Sequence, residues 1–439
     1  MATGAAKRHV ILGAGTAGLN AVRTLRQLGD TGEIVMVAAE PPYSRMVLPY
    51  YLEQRISEPH VGTATNKQLA EWAVDTRFGR RAKSLDTQAS KLILDNDEAL
   101  AYDDLLVATG SSAVRAPVPG ADLPGVHSFW TFDDARGVHR AIAKDSQVVM
   151  VGAGFISFTI LNGILERSGK LTIVEVAPRI LPRMVDEEGA RLVASWLEAR
   201  GVTLRTGARL KDIRPSGTKL KLAFESGGPV EADLVLMATG IRPNLQWARG
   251  SGLKIEQGIV VDEFLRSHVP NVYAAGDVAQ GSNRITGAAE VHAIEPTAME
   301  HGRVAAANMA GHPTRYMGSL LMNIVGVAGL DMASFGSWDD PKAEVIVGRH
   351  PERHAYRKYL LRDGRVVGAI MIQPNDQTWS GNDLGMVKGL VHSGVALGQW
   401  KAQLAKEPFE IKKAFLSLHA TAKLLPETVL GRPSASPAA

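Results

Sequence analysis

Two Rossmann-like α/β domains and a smaller C-terminal α+β domain are predicted from three observations. Short apolar strands run into glycine-punctuated turns at residues 13–18 and again at 152–157. The stretch Asp103-Asp-Leu-Leu-Val-Ala-Thr-Gly110 is echoed by Asp233-Leu-Val-Leu-Met-Ala-Thr-Gly240, which marks a duplicated architecture. From about residue 316 the texture changes to strands without such turns, followed by a mildly basic helical run. A chain of 439 residues exceeds one typical core, so two or three domains are expected.

The first strand, His9-Val-Ile-Leu12, leads into Gly13-Ala-Gly15-Thr16-Ala17-Gly18 and an apolar helical stretch. In such a turn Gly13 permits the tight bend, Gly15 lets the main chain approach a pyrophosphate, and Gly18 lets the helix pack closely on the strand. Backbone N–H groups at that helix N-terminus then meet phosphate charge. Glu40 follows the strand Ile34-Val-Met-Val-Ala at the spacing that a dinucleotide ribose requires. The second unit repeats the design: Val148-Val-Met-Val151 leads into Gly152-Ala-Gly154-Phe155-Ile156-Ser157, with Glu175 after Leu171-Thr-Ile-Val. Ser157 stands for the third glycine and is small enough to permit close helix packing. A carboxylate at Glu175 repels a 2′-phosphate, so NADH is expected over NADPH. Arg179 either softens that preference or is a solvated loop arginine. Two dinucleotides held face to face imply hydride traffic between them.

Asn271-Val-Tyr-Ala-Ala-Gly276-Asp277 reads as another buried strand with an acid at its carboxyl end, where ligands collect in open α/β sheets. Asp277 there either accepts from ligand hydroxyls or caps the stretch after Val278. Arg357 to Arg362 and Val366 to Ile372 read as a hairpin turning at Asp363-Gly364. A helical run from about Met386 to Lys423 follows, and the Pro/Ser/Ala tail over 431–439 is expected to fray.

Composition narrows the function. The 49 basic and 45 acidic residues leave a net charge of +4, scattered rather than striped, which argues against nucleic acid. No apolar run approaches a membrane span and the N-terminus lacks an apolar signal core, so a cytoplasmic location is the default expectation. The sequence holds no cysteine, which excludes disulfides, thiolate metal sites and redox-active cysteine pairs in this chain. Electrons must therefore ride on a cofactor. Among 12 histidines only His292, with Glu290 and Glu295 around it, stands near possible ligands, and a surface or interface place is expected for it; no metal site is predicted.

The ordered set GxGxxG, Glu40, Pro42-Tyr-Ser-Arg45, Ala108-Thr109-Gly110, GxGxxS, Glu175, Ala238-Thr-Gly240 and Ala275-Gly276-Asp277 resembles the FAD-dependent pyridine nucleotide-disulfide oxidoreductase superfamily. Within it the chain is most similar to ferredoxin and rubredoxin reductases and to the flavin module of NADH-dependent nitrite reductase, over nearly all of residues 7–430. The resemblance implies glutathione-reductase-type domains: FAD-binding over 1–115 and 245–315, NAD-binding over 116–244, and an interface domain over 316–430. It implies that the first cradle holds the FAD pyrophosphate, Glu40 the adenosine ribose and Asp277 a ribityl hydroxyl. Ala82, Thr109, Gly110, Gly276 and Glu295 are implied around FAD, and Gly240 around NAD. The helix opening at Glu295 is implied to aim its positive end at the flavin, with Thr297 as the contact. Arg45 is expected beside the isoalloxazine or pyrophosphate, or else in a structural salt bridge.

Three departures from these relatives carry meaning. Met46 stands where relatives that reduce coenzyme A disulfide or oxygen carry a reactive cysteine, and methionine forms no thiolate. Tyr50 and Thr159 stand where ferredoxin-reductase relatives pair a lysine with a glutamate beside the flavin. Losing both avoids burying one unpaired charge, at a cost of roughly 3–5 kcal/mol, and a less charged flavin face is expected. The resemblance thus implies an FAD-dependent NAD(H):acceptor oxidoreductase whose electron partner is an iron-sulfur protein or subunit. Such flavin chains occur in multi-subunit enzymes, tungsten-dependent aldehyde oxidoreductases among them, and a homo- or hetero-oligomer is expected. Lys401-Ala-Gln-Leu-Ala-Lys406 and Ile411-Lys-Lys413 either dock an acidic partner or form a solvated face. The alternatives are an NADH oxidase or rubredoxin reductase and, in another class, an NADH-responsive flavin-binding interaction protein similar to apoptosis-inducing factor.

Overall fold

The computed structural model describes residues 7–375 and 380–420; the tail over 431–439 and the end of the C-terminal helical run lie outside the described residues. Arg8–Leu12, Glu33–Ala38, Val74–Phe78, Asp104–Val107 and Val272–Ala274 form a parallel five-stranded sheet, in the spatial order 272–274, 104–107, 8–12, 33–38, 74–78. Val10, Ile11, Val35, Met36, Leu105 and Leu106 are fully buried in it. Such unbroken apolar runs suit strands covered on both faces. The last strand of this sheet, Val272–Ala274, is added only after the chain has built a second one.

That second sheet is also parallel and five-stranded, in the order 203–205, 170–174, 147–151, 234–237, 126–128. The two Rossmann-like halves are bridged by Ser111–Ala113 and Ile241–Pro243, which pair antiparallel. Each bridging strand directly follows one of the two Ala-Thr-Gly turns, so the sequence echo lies where the halves meet.

The helices after the two cradles differ. The first, Thr16–Gln27, is continuous, whereas the second stretch is split into Phe155–Thr159 and Leu161–Arg167. A Cβ on Gly18 would lie 1.9 Å from the Gly13 carbonyl oxygen, so close packing there depends on glycine. Ser157, at the equivalent place, is fully buried, and its Oγ donates to the Gly152 carbonyl oxygen at 2.6 Å.

The C-terminal sheet is antiparallel, in the order 322–327, 330–336, 365–374, 355–362, 344–350. The hairpin at Asp363-Gly364 is present, with both turn residues at positive φ, 51° and 70°, the geometry whose twist matches paired strands. Helices Ser380–Ser393, Trp400–Lys406 and Ile411–Ser417 pack against this sheet through Val387, Leu390, Leu404 and Ile411. The turn at Ala328 is gripped by two helices of the second domain: Ala328 N donates to Asn162 Oδ1 at 2.8 Å, and Trp196 Nε1 donates to the Ala328 carbonyl at 2.9 Å. Tyr356 and Lys358 add a second tie, both donating to Asp186 Oδ2 at 2.7 and 2.8 Å. Among the described residues no helix is long and apolar enough to cross a membrane.

Candidate active site

Gly13 has a φ of 124°, and a Cβ on it would stand 2.0 Å from the Ala108 carbonyl oxygen. Only glycine makes that turn. Nothing lies within 4 Å of a Cβ built on Gly15, the N-cap of the helix Thr16–Gln27, and the first turn of that helix has no acidic side chain. Open space over the N-terminal N–H groups of this helix fits a dinucleotide pyrophosphate. Helix Glu295–Met309 lies directly against this one: a Cβ on Gly302 would meet the Ala17 carbonyl at 2.1 Å, and Thr16 Oγ1 donates to Glu295 Oε1 at 3.1 Å. Glu40 is half-buried, and Tyr43 orients it by donating to Oε2 at 3.0 Å while accepting from Phe132 N at 3.2 Å. Ala82 begins a strand just beyond Arg80, whose N–H reaches back to the Ala38 carbonyl at the end of the Glu40 strand.

The second cradle repeats the steric argument. A Cβ on Gly152 would stand 2.3 Å from the Ala238 carbonyl oxygen, the contact that Gly13 makes with Ala108 in the first. Nothing lies within 4 Å of a Cβ on Gly154, and Phe155 and Ile156 continue the turn half-buried. Glu175 is buried at the cradle mouth, its Oε2 accepting from Ala153 N at 2.7 Å and its Oε1 from Ala177 N at 2.8 Å. Arg179 is a half-buried residue rather than a solvated one, because its Nη2 donates to the Pro182 carbonyl at 3.1 Å. Gly240, with φ of 117°, turns the chain into the bridge Ile241–Pro243.

The description of the pyridine nucleotide-disulphide oxidoreductases matches residues 7–302. The chain belongs to this family. It is an FAD-dependent NAD(H) oxidoreductase with the family's two cofactors, FAD and NAD(H). The rubredoxin NAD+ reductase C-terminal domain matches residues 322–380. Subunit epsilon of the NADH-dependent phenylglyoxylate dehydrogenase of Aromatoleum evansii is 31% identical over 367 residues, 82% of this chain and 87% of that one. The assimilatory nitrate reductase electron transfer subunit of Bacillus subtilis is 27% identical over 83% of this chain, which spans 47% of that protein, about half its length. In fold, the chain is similar to a ferredoxin reductase of Rhodopseudomonas palustris, with a TM-score of 0.82 at 24% identity, covering 93% of this chain and 99% of that one.

Where the family's halves meet, the Ala-Thr-Gly turns are tied by a residue that the sequence did not single out. Asn244 Nδ2 donates to the Thr109 carbonyl at 3.0 Å, Thr109 Oγ1 donates to the Asn244 carbonyl at 2.9 Å, and Asn244 N donates to the Gly110 carbonyl at 2.9 Å. Ser111 Oγ donates to Asp277 Oδ2 at 2.5 Å. Asp277 sits in the short turn Gly276–Val278, and the strand Ala279–Ser282 follows, so there is no helix for it to cap. Gly276 N donates to His301 Nδ1 at 3.2 Å. Burial pushes His301 down to about 3, so the imidazole is neutral and accepting at Nδ1 places its hydrogen on Nε2. Thr297, two positions into the helix, is buried.

His292 is buried rather than at a surface. Its Nε2 lies 3.4 Å from both Glu290 Oε2 and Asn283 Nδ2, while Glu295 bonds Thr16 instead. Asn283 Oδ1 also accepts from Ile285 N and Thr286 N. Among the described residues no group of three or more His, Cys, Asp or Glu could hold a metal ion.

Arg45 makes no ion pair among the described residues. Its guanidinium carbon lies 4.9 Å from the Trp130 ring centroid, and a Cβ on Gly110 would be 3.6 Å from its Nη1. Met46 and Tyr50 are exposed, and Thr159 is half-buried with its Oγ1 donating to the Ile156 carbonyl at 2.7 Å. Tyr43, Ser111, Trp130, Asn244 and His301 are the site residues that motif spacing could not identify. Apart from the bond between Tyr43 and Glu40, each acts through a contact distant in sequence, and only Tyr43 and His301, the latter in the helix opening at Glu295, lie inside segments that the sequence had marked.

Proposed function

We propose that this FAD-dependent NAD(H) oxidoreductase exchanges hydride with NAD(H) at the second cradle and passes electrons to an iron-sulfur protein or subunit without a sulfur relay. The observation that carries the reading is two dinucleotide cradles in one chain that has no cysteine and presents Met46 openly. Bound FAD supplies the chemistry, taking a hydride and returning electrons singly or in pairs. The chain holds and aligns. Gly13, Gly15, Thr16, Ala17 and Gly18 offer backbone to the FAD pyrophosphate, with Glu40 and Asp277 for its hydroxyls. Ala82, Thr109, Gly110, Gly276, Glu295 and Thr297 frame the same site. Gly152, Gly154, Phe155, Ile156, Ser157 and Gly240 frame NAD(H), whose ribose falls to Glu175; the neighbouring Arg179 is held by Pro182. The domain division given above belongs to the same proposal.

An external iron-sulfur acceptor is supported by two relatives whose names describe subunits of larger redox enzymes. The basic C-terminal run gives weaker support, since Lys401 pairs with Glu344 at 2.7 Å and Lys406 and Lys413 stand among Glu407 and Glu410. Affinity isolation from native extract under anaerobic conditions tests the reading. Co-purification with an iron-sulfur protein is the expected result. A lone protein that consumes oxygen with NADH would replace it by the NADH oxidase reading.

A further inference from the structure

Arg45 makes no ion pair among the described residues, although it interacts with Tyr43, whose hydroxyl donates to Glu40 Oε2 at 3.0 Å. Arg45 is half-buried and its guanidinium rests on the face of Trp130, 4.9 Å from the ring centroid. A guanidinium drawn out of water needs an anion or a π face against it. The indole is itself fixed, because its Nε1 donates to the Ser111 carbonyl at 2.6 Å, and Ser111 Oγ donates on to Asp277 Oδ2 at 2.5 Å. Gly110, beside Arg45 Nη1, belongs to the same turn. Trp130 lies between the strand Val126–Ser128 and the helix Phe132–Ala141, whereas Arg45 and Asp277 flank the first sheet. One contiguous path therefore links a cation near the first cradle that makes no ion pair among the described residues to the carboxylate just past the strand Val272–Ala274.

We infer that Trp130 is a positioning residue for FAD: its ring aims the Arg45 guanidinium at the dinucleotide pyrophosphate, and its N–H fixes the Ser111–Asp277 pair. This rests on the FAD assignment of the first cradle made above. A carboxylate in the place of Trp130 would pair with Arg45 and compete with the phosphate. An aromatic face orients the charge without neutralising it.

Flavin-stripped protein titrated with FAD, followed by calorimetry and flavin fluorescence, tests the inference. Arg45→Met is expected to weaken FAD about 10- to 100-fold, the range of a hydrogen bond to a charged group. Trp130→Leu, which keeps apolar bulk but removes both the π face and the N–H, is expected to weaken FAD about 5- to 30-fold. Trp130→Phe, which keeps a π face, is expected to lose about half as much on a logarithmic scale or less. Placed in the Arg45→Met background, Trp130→Leu is expected to cost no more than Trp130→Phe does alone, because the partner of the ring is gone and only the N–H contribution remains. Equal losses for Phe and Leu, or a full loss for Leu without Arg45, would show that the ring does not aim Arg45 and overturn the inference. An Arg45→Met variant that binds FAD normally would instead overturn the placement of FAD against Arg45, a distinguishable failure.

Discussion

Glu175 and Trp130 mark the two extremes of what single residues disclose. Glu175 was legible because a ribose-binding acid stands at a set distance from its glycine turn, and both of its oxygens prove to be anchored by backbone N–H groups. An anchored carboxylate cannot swing away from a 2′-phosphate, and Arg179 is occupied by Pro182. Glu175→Arg is accordingly expected to lower kcat/KM for NADH by about 100-fold, near the loss of one charged hydrogen-bond partner, and to admit NADPH. Rapid-mixing measurement of flavin bleaching with each nucleotide checks this; unchanged NADH kinetics would remove the assigned contact. Trp130, Ser111 and Asn244 were not legible. Their partners, Arg45, Asp277 and Thr109, lie on other segments, and a stacking or hydrogen-bond contact between distant residues imposes no spacing on a sequence. The burial of His292 escaped for a similar reason, since its neighbour Asn283 lies on a turn nine positions away.

Among elements, the helix Glu295–Met309 does more than its proline-bearing first turn suggested. Its His301 accepts from Gly276 N and so fixes the turn that carries Asp277. The pH consequence follows from linkage. His301 is held near 3 in the folded chain against 6.5 when exposed, so between those values the unfolded chain binds the extra proton. Stability therefore falls as pH drops below 6.5, by up to about 1.4 kcal/mol per pH unit from this group, and is flat above it. His392, pushed down to about 4 by burial first and by Arg284 and Lys388 next, tilts stability the same way. His301→Gln, which retains an acceptor for Gly276 N, is expected to reduce the pH dependence of the thermal midpoint between pH 6.5 and 5, leaving the share of His392; an unchanged slope would show that His301 does not contribute to it. The strands and the Asp363-Gly364 hairpin were legible from apolar runs and turn chemistry. The split at Ile160 was not, because the apolar pattern continues across it.

At the scale of the whole molecule, two parallel sheets meet at paired Ala-Thr-Gly turns, and a C-terminal sheet is fastened to the second of them through Asn162, Trp196 and Asp186. That arrangement brings together the termini of both nucleotide-binding halves in one body with no cysteine anywhere in the chain. On the proposed reading, the electrons of a hydride passed between the two dinucleotides leave through the flavin to an external acceptor. The most direct test is anaerobic double-mixing stopped flow on the FAD-loaded protein, first with NADH and then with an oxidised iron-sulfur protein such as a ferredoxin or rubredoxin. The account predicts rapid loss of the visible flavin absorbance on the first mix and its rapid return on the second, faster than with oxygen. A flavin that NADH leaves coloured, or one that oxygen reoxidises while the iron-sulfur protein does not, would contradict it.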